Sequence, residues 1–355
     1  MKNRLEALRQ SLPKRTAAIV VNPTNRLYFT GFASSAGTLF VTRELAVFFT
    51  DSRYIEAAKT AVSVCEVQET RGSAIDAIAA LFRKSHCRKC LCETSFLTLA
   101  IAALYDKKIK LDINSGKLDD TILALRRIKS DDEVRKIKQA QRIAELAFAH
   151  ILDFLAIGKT EREIARELDF FMLSNGADAI SFDTIAVAGA NSSKPHGVPG
   201  GYAVRAGDFV TMDFGAVVDG YHSDMTRTVA VGGIGDVQNR IYGIVLEAQT
   251  EALRVIRAGI SCKAADAAAR DVIEAAGFGE QFRHGTGHGV GLDIHEGVSL
   301  GSNSKDTLKA GEIVTVEPGI YLENKYGVRI EDMVLVTEDG CENLTTAPKN
   351  LIVIA

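Results

Sequence analysis

No stretch of this 355-residue chain approaches the ~18 consecutive apolar residues that a membrane-crossing helix needs. A helical membrane protein is therefore not expected. The N-terminus, M-K-N-R-L-E-A-L-R-Q-S-L-P-K-R, lacks the apolar stretch and small-residue cleavage site of a secretory signal, so a cytoplasmic location is expected. Neither charge is in surplus. Forty-two Lys and Arg face 45 Asp and Glu, for a net charge of -3. That balance gives no electrostatic reason to expect nucleic acid or an anionic membrane as partner. Cysteine is sparse, at six residues, and only the run H-C-R-K-C-L-C (86–92) invites a metal reading. A Cys-x-x-Cys knuckle usually needs a second ligand pair, and no second knuckle exists. The run is expected to be a short buried strand between two helices, its thiols acting as small hydrophobes.

What is present is the composition of a water-soluble globular chain, 46% hydrophobic and 25% charged. Its length suggests two domains at the usual ~100–200 residues each. The first, about residues 1–125, reads as an α/β module. A-A-I-V-V (17–21), T-L-F-V-T (38–42) and A-V-F-F-T (46–50) are β-rich runs bounded by turn residues. Amphipathic helical patterns lie near 53–61, 73–84 and 96–106. A long helix is expected from Ser130 to about Ala156, opened by a Ser130/Glu133 capping box and closed at Gly158. It marks the start of a second domain, 126–355.

That second domain contains a weak internal repeat. A helical stretch ending in A-I-G-K-T (156–160) is matched by one ending in R-A-G-I-S (257–261). A shorter helix follows each and stops at Gly176 or Gly277. V-T-M-D-F-G (210–215) is matched by V-T-V-E-P-G (314–319). Three matches in the same order, at a shared spacing, point to two related halves.

The matched strands each hold one acid between apolar neighbours, Asp213 and Glu317. A second acid follows each, Asp224 in G-Y-H-S-D-M-T-R-T and Glu331 in G-V-R-I-E-D-M-V. Each segment reads as a strand, a turn and a return strand, so two hairpins bring four acids toward one point. Taken singly, each acid is more simply solvated, or paired with Arg227 or Arg329. Four acids in matched apolar contexts need charge compensation, and a metal supplies it. Five of the seven histidines lie between His196 and His295, and H-G-T-G-H-G-V-G-L-D-I-H-E sets His284, His288 and His295 among glycines. One imidazole with four carboxylates makes a plausible set for two divalent ions. Their charge of about +4 balances about -4 from the acids. Oxygen-rich ligation without thiolate suits Mn foremost, or Co, Zn or Fe.

With these residues the chain resembles the pita-bread metallopeptidases, whose members include Xaa-Pro dipeptidases (prolidases), Xaa-Pro aminopeptidases (aminopeptidase P) and methionine aminopeptidases. N-P-T-N-R-L-Y-F-T-G-F and T-D-S-R-Y resemble the creatinase/prolidase N-terminal domain, and S-F-D-T-I-A-V-A-G-A-N-S-S-K-P-H-G resembles the segment that supplies a substrate-contacting histidine. The resemblance implies a creatinase/prolidase-like α/β domain (1–125) followed by a pita-bread α+β domain (126–355) with two pseudo-symmetric halves. It implies that Asp213 chelates one metal and that Asp224 and Glu331 bridge both. His288 and Glu317 complete the other shell. His295 and His196 contact the peptide and stabilise the tetrahedral intermediate, and Glu317 moves a proton to the leaving amine. The implied reaction is hydrolysis of Xaa-Pro bonds in short proline-containing peptides by a hydroxide held between two metals, in a homodimer. Three alternatives remain: a methionine aminopeptidase-type enzyme, a metal-free creatinase-like hydrolase, and a non-enzymatic pita-bread binding module. His222 and Arg329 stand beside expected ligands, either as outer support or simply as surface residues. His284 is expected to be structural.

Overall fold

The computed structural model describes residues 2–355, which form two compact units meeting at Arg126 and Arg127. In the first, α1 (Lys2–Ser11) leads into β1 (Thr16–Val20), α2 (Pro23–Thr30), β2 (Thr38–Val41) and β3 (Ala46–Thr50). Then come α3 (Ile55–Ala61), β4 (Glu66–Glu69), α4 (Ile75–Lys84), β5 (Lys89–Cys92), α5 (Leu99–Asp106), β6 (Leu111–Asp112) and α6 (Lys117–Arg127). The strands form one mixed sheet in the order β4-β3-β2-β1-β5-β6. β1 to β3 pair antiparallel, while β4, β5 and β6 join in parallel through helical crossovers.

The three expected strands form within one residue of the expected bounds. The N-P of the sequence opens α2: Asn22 caps the Thr24 amide, Pro23 occupies the first turn, and Gly31 ends the helix at φ 72°. The cysteine run yields β5, where Cys90 and Cys92 are buried. Burial pushes the Cys92 thiol up to about 11, so it behaves as the inert hydrophobe expected of it.

The second unit opens with α7 (Asp131–Phe154), α8 (Glu161–Ser174), β7 (Ala179–Ile180), β8 (Ile185–Ala188), β9 (Asp208–Phe214), β10 (Ala216–Val218), β11 (Tyr221–His222) and β12 (Met225–Val231). It continues with α9 (Asp236–Val255), α10 (Cys262–Ala275), β13 (Gly287–His288), β14 (Ser299–Leu300), β15 (Ile313–Val316), β16 (Gly319–Leu322) and β17 (Tyr326–Arg329). β18 (Asp332–Val336), β19 (Cys341–Asn343) and β20 (Val353–Ile354) complete it. The Ser130 amide donates to Glu133 at 2.9 Å, as the capping box requires. The helix stops at Phe154, two residues earlier than expected, because Leu155 turns to extended backbone. Gly158 lies beyond it in the next turn, at φ 93°.

The two halves repeat. Helices α8 and α10 are each 14 residues long, and a glycine with left-handed backbone precedes and follows each: Gly158 and Gly176, Gly259 and Gly277. β9 pairs antiparallel with β12, and β15 with β18. Inside each long hairpin sits a shorter one, β10 with β11 and β16 with β17. Along β9 the alternation of period two buries Val210, Met212 and Phe214 in the core formed with α7 and α8. Asp213 therefore faces the other way, on the side of Phe209 and Thr211.

Candidate metal centre

All four acids lie where a long hairpin gives way to its inner one. Asp213 is next to last in β9, and Asp224 immediately precedes β12. Glu317 immediately follows β15, and Glu331 immediately precedes β18. Gly215 enforces the first break, since a Cβ there would lie 1.9 Å from the Ser223 carbonyl oxygen. In the second half Pro318, aligned with Phe214, directly follows Glu317 and cannot donate to a ladder. The Glu317 amide donates to Thr286 O at 2.7 Å and the Glu331 amide to Thr226 O at 3.1 Å, which fixes both backbones.

Asp213, Asp224, His288, Glu317 and Glu331 all line one cavity. Ligand atoms of Asp224, His288 and Glu331 lie within 4.8 Å of one another. His288 Nε2 stands 3.5 Å from Asp224 Oδ2 and 3.4 Å from Glu317 Oε1. The other ring nitrogen, Nδ1, is 3.2 Å from Gly289 O. Donation from Nδ1 to that carbonyl leaves Nε2 with its lone pair toward the acids, the tautomer a metal ligand needs. Burial lowers the His288 pKa to about 4, assisted by His295, which favours the same neutral form.

Burial, and then repulsion among the acids, holds Asp224 and Glu331 far above the ordinary carboxylate range. Burial raises Glu317 as well, against the opposing pull of Arg329. Asp213 Oδ1 and Glu331 Oε1 are buried without any hydrogen-bond partner. Buried carboxylate oxygens without partners are costly, and a cation is the natural complement. Arg329 pairs with Asp213, and the other three acids have no such ion pair with Lys or Arg among the described residues, so about three negative charges stay uncompensated when all are ionised. The donor set fits divalent ions on both counts.

The sequence underestimated the support around this centre. Arg329 is only 3% exposed. It donates to Asp213 Oδ2 at 2.5 Å, Thr226 Oγ1 at 3.0 Å, Tyr321 Oη at 2.9 Å and Pro195 O at 3.2 Å. Thr226 Oγ1 in turn donates to Glu331 Oε2 at 2.6 Å. His284, expected to be structural, hydrogen-bonds Tyr321 Oη through Nε2 at 2.9 Å and lines the same cavity as the acids. His222 pairs with Ser181 through Nδ1 at 2.9 Å and donates its amide to Gly291 O. Thr226 and Tyr321 were not anticipated. Their signal was position: Thr226 follows Asp224 by two residues, and Tyr321 follows Glu317 by four.

A cavity of about 720 Å³ opens over the acids. Its walls mix apolar groups, Phe182, Ile185, Pro199 and Ile294, with His196 and His295. Both histidines are exposed, and the His295 ring lies 4.2 Å from that of His288, edge to face. Asp224, His288 and Glu331 are the one group of three His, Cys, Asp or Glu with metal-ligating spacing found among the described residues, and the cysteine run forms none.

Comparison with known proteins gives the same answer. The model of metallopeptidase family M24 matches residues 135–338, and that of the creatinase/prolidase N-terminal domain matches residues 4–128. The chain is 42% identical over 336 residues to the uncharacterized peptidase YqhT of Bacillus subtilis, covering 95% of each. The structure of the Xaa-Pro dipeptidase from Bacillus anthracis is similar with a TM-score of 0.95 and 40% identity, over 99% of both chains. That of the X-Pro aminopeptidase from Thermotoga maritima gives 0.90 and 35%, over 96% of this chain and 97% of the other.

Proposed function

The chain belongs to metallopeptidase family M24, and from that premise we propose that it hydrolyses the bond preceding proline in short peptides, as an Xaa-Pro dipeptidase or Xaa-Pro aminopeptidase. Its fold is a creatinase-type N-terminal domain followed by the pita-bread domain of the prolidases. We take residues 1–125 as the first and 126–355 as the second. The observation that carries the reading is the approach of Asp224, His288 and Glu331 within 4.8 Å of one another, in a cavity that Asp213 and Glu317 also line and where two carboxylate oxygens have no partner.

Family membership implies divalent metal ions. The five residues would hold a pair of them, manganese foremost, with cobalt, zinc or iron as alternatives. Ions at this site supply Lewis acidity, which activates water and polarises a carbonyl oxygen. The protein's own groups do the rest. Glu317, with Oε1 3.4 Å from His288 Nε2, is the carboxylate placed to carry a proton to the departing proline nitrogen. His295 and His196, on the cavity wall, meet the peptide and donate to the oxyanion. Phe182, Ile185, Pro199 and Ile294 offer a ring-sized apolar surface. A proline nitrogen carries no N–H within a peptide, so the pocket needs no acceptor for one. A cytoplasmic homodimer completes the reading.

One assay panel tests it: Ala-Pro, Ala-Pro-Gly and Met-Ala-Ser, each with Mn, Co and Zn. Cleavage before proline, lost on chelation and restored by metal, supports the proposal. Preference for Met-Ala-Ser would assign the chain to the methionine aminopeptidase type instead. Cleavage of none of them by metal-loaded protein would leave a binding module.

A further inference from the structure

A buried ion pair lies outside the ligand set. Lys129 Nζ is 2.9 Å from Glu296 Oε1, and each side chain is 3% exposed. The second carboxylate oxygen, Oε2, accepts the amides of Leu292 at 3.0 Å and Asp293 at 3.3 Å. The carboxylate thus sits inside the loop that joins His288 to Ser299, and the loop folds around it. Gly289 N donates to Val298 O at 2.8 Å, and Glu296 N donates back to Gly289 O at 2.9 Å. A Cβ on Gly291 would lie 2.2 Å from Glu296 Oε1, so a side chain there would push the carboxylate off its partners. His295 immediately precedes Glu296 in this loop.

The cation comes from a different part of the chain, just before α7, and that segment is itself fastened. The Lys129 amide donates to Gly311 O at 2.8 Å. Arg127 donates to Glu312 Oε1 at 2.5 Å and to Asp306 Oδ1 at 3.0 Å. A buried ion pair contributes little net stability, because desolvation offsets its attraction. Holding geometry accounts better for its place.

We propose that Lys129 and Glu296 are positioning residues that fix His295 beside His288 and the acids. The pair never touches the peptide; it sets where the imidazole stands when the peptide arrives. This rests on the peptidase reading in one respect, that His295 meets the substrate.

The test uses the full-length metal-loaded chain with Lys129→Met, and Lys129→Met/Glu296→Gln, which leaves no unpaired buried charge. Each is made in the wild-type and the His295→Ala background. Two readouts are taken: kcat and KM on Ala-Pro, and hydrogen exchange of segment 289–298. The expected result is a kcat loss of about 10–100-fold with KM and bound metal nearly unchanged. In the His295→Ala background the same changes cost less than about 2-fold, because the group they position is gone. Exchange across 289–298 speeds up while the rest of the chain keeps its protection. Equal kcat losses in both backgrounds, or unchanged exchange in 289–298, overturns the proposal. If wild-type protein cleaves no Xaa-Pro peptide, the peptidase reading fails separately, and hydrogen exchange still decides whether the pair holds the loop. If Lys129→Met does not fold, the double variant carries the test.

Discussion

Arg329 donates to Asp213 Oδ2 at 2.5 Å and leaves Asp213 Oδ1 buried without a partner. One oxygen is anchored and the other left without a partner, which suits the metal-ligand role proposed for Asp213. Replacing Arg329 with Met removes that anchor and its positive charge. Activity on Ala-Pro should fall about 10–100-fold. Steady-state kinetics alongside metal analysis checks this. Activity within 2-fold of wild type, at about full metal content, would reduce Arg329 to packing.

Thr226 links the two halves of the site by accepting from Arg329 Nε and donating to Glu331 Oε2. Thr226→Val keeps the shape and removes both bonds. Metal affinity should drop about 10-fold, with Thr226→Ser close to wild type. Titration calorimetry with manganese measures it, and equal affinity in all three proteins contradicts it.

The buried acids make the metal-free protein sensitive to pH. Burial, then mutual repulsion, raises Asp224 and Glu331, and burial raises Glu317. A carboxyl whose folded pKa exceeds its unfolded value, about 4, binds more protons folded than unfolded. Its contribution to stability is therefore fully present only below the unfolded value and is lost as pH rises from there through the raised folded pKa. The metal-free protein should lose thermal stability as pH rises from about 4 through about 8, where Glu317 titrates, and saturating metal should abolish the loss. Metal binding should also release protons, read from calorimetry in buffers of different ionisation enthalpy. Binding without proton release would mean the acids are already ionised.

Gly215 tests the hairpin break itself. An alanine Cβ there meets the Ser223 carbonyl at 1.9 Å. Gly215→Ala should cost about 2 kcal/mol or more, roughly 4–8 °C in Tm. A Tm within about 1 °C of wild type would show that the break tolerates a side chain.

Much of this acid cluster was legible in the sequence because its carboxylates repeat. Asp213 and Glu317 stand in matched strands, and Asp224 and Glu331 head the return strands. The glycines at 158, 176, 259 and 277 announce the repeat because left-handed backbone at helix ends favours that residue. The reading of each segment as one hairpin missed the inner strands, since the breaks come from Gly215 packing on Ser223, a contact 8 residues away that no local pattern encodes. His284 and Lys129 were illegible for a related reason. Their partners, Tyr321 and Glu296, lie 37 and 167 residues away. Only the fold brings them within reach.

The most direct measurement is metal content. Wild-type chain and Asp224→Ala/Glu331→Ala, both stripped and then equilibrated with manganese by dialysis, are compared by elemental mass spectrometry. The account predicts about two ions per wild-type chain and fewer than about one in the variant. A wild-type chain that binds no ion, or a variant that keeps the full complement, would contradict it.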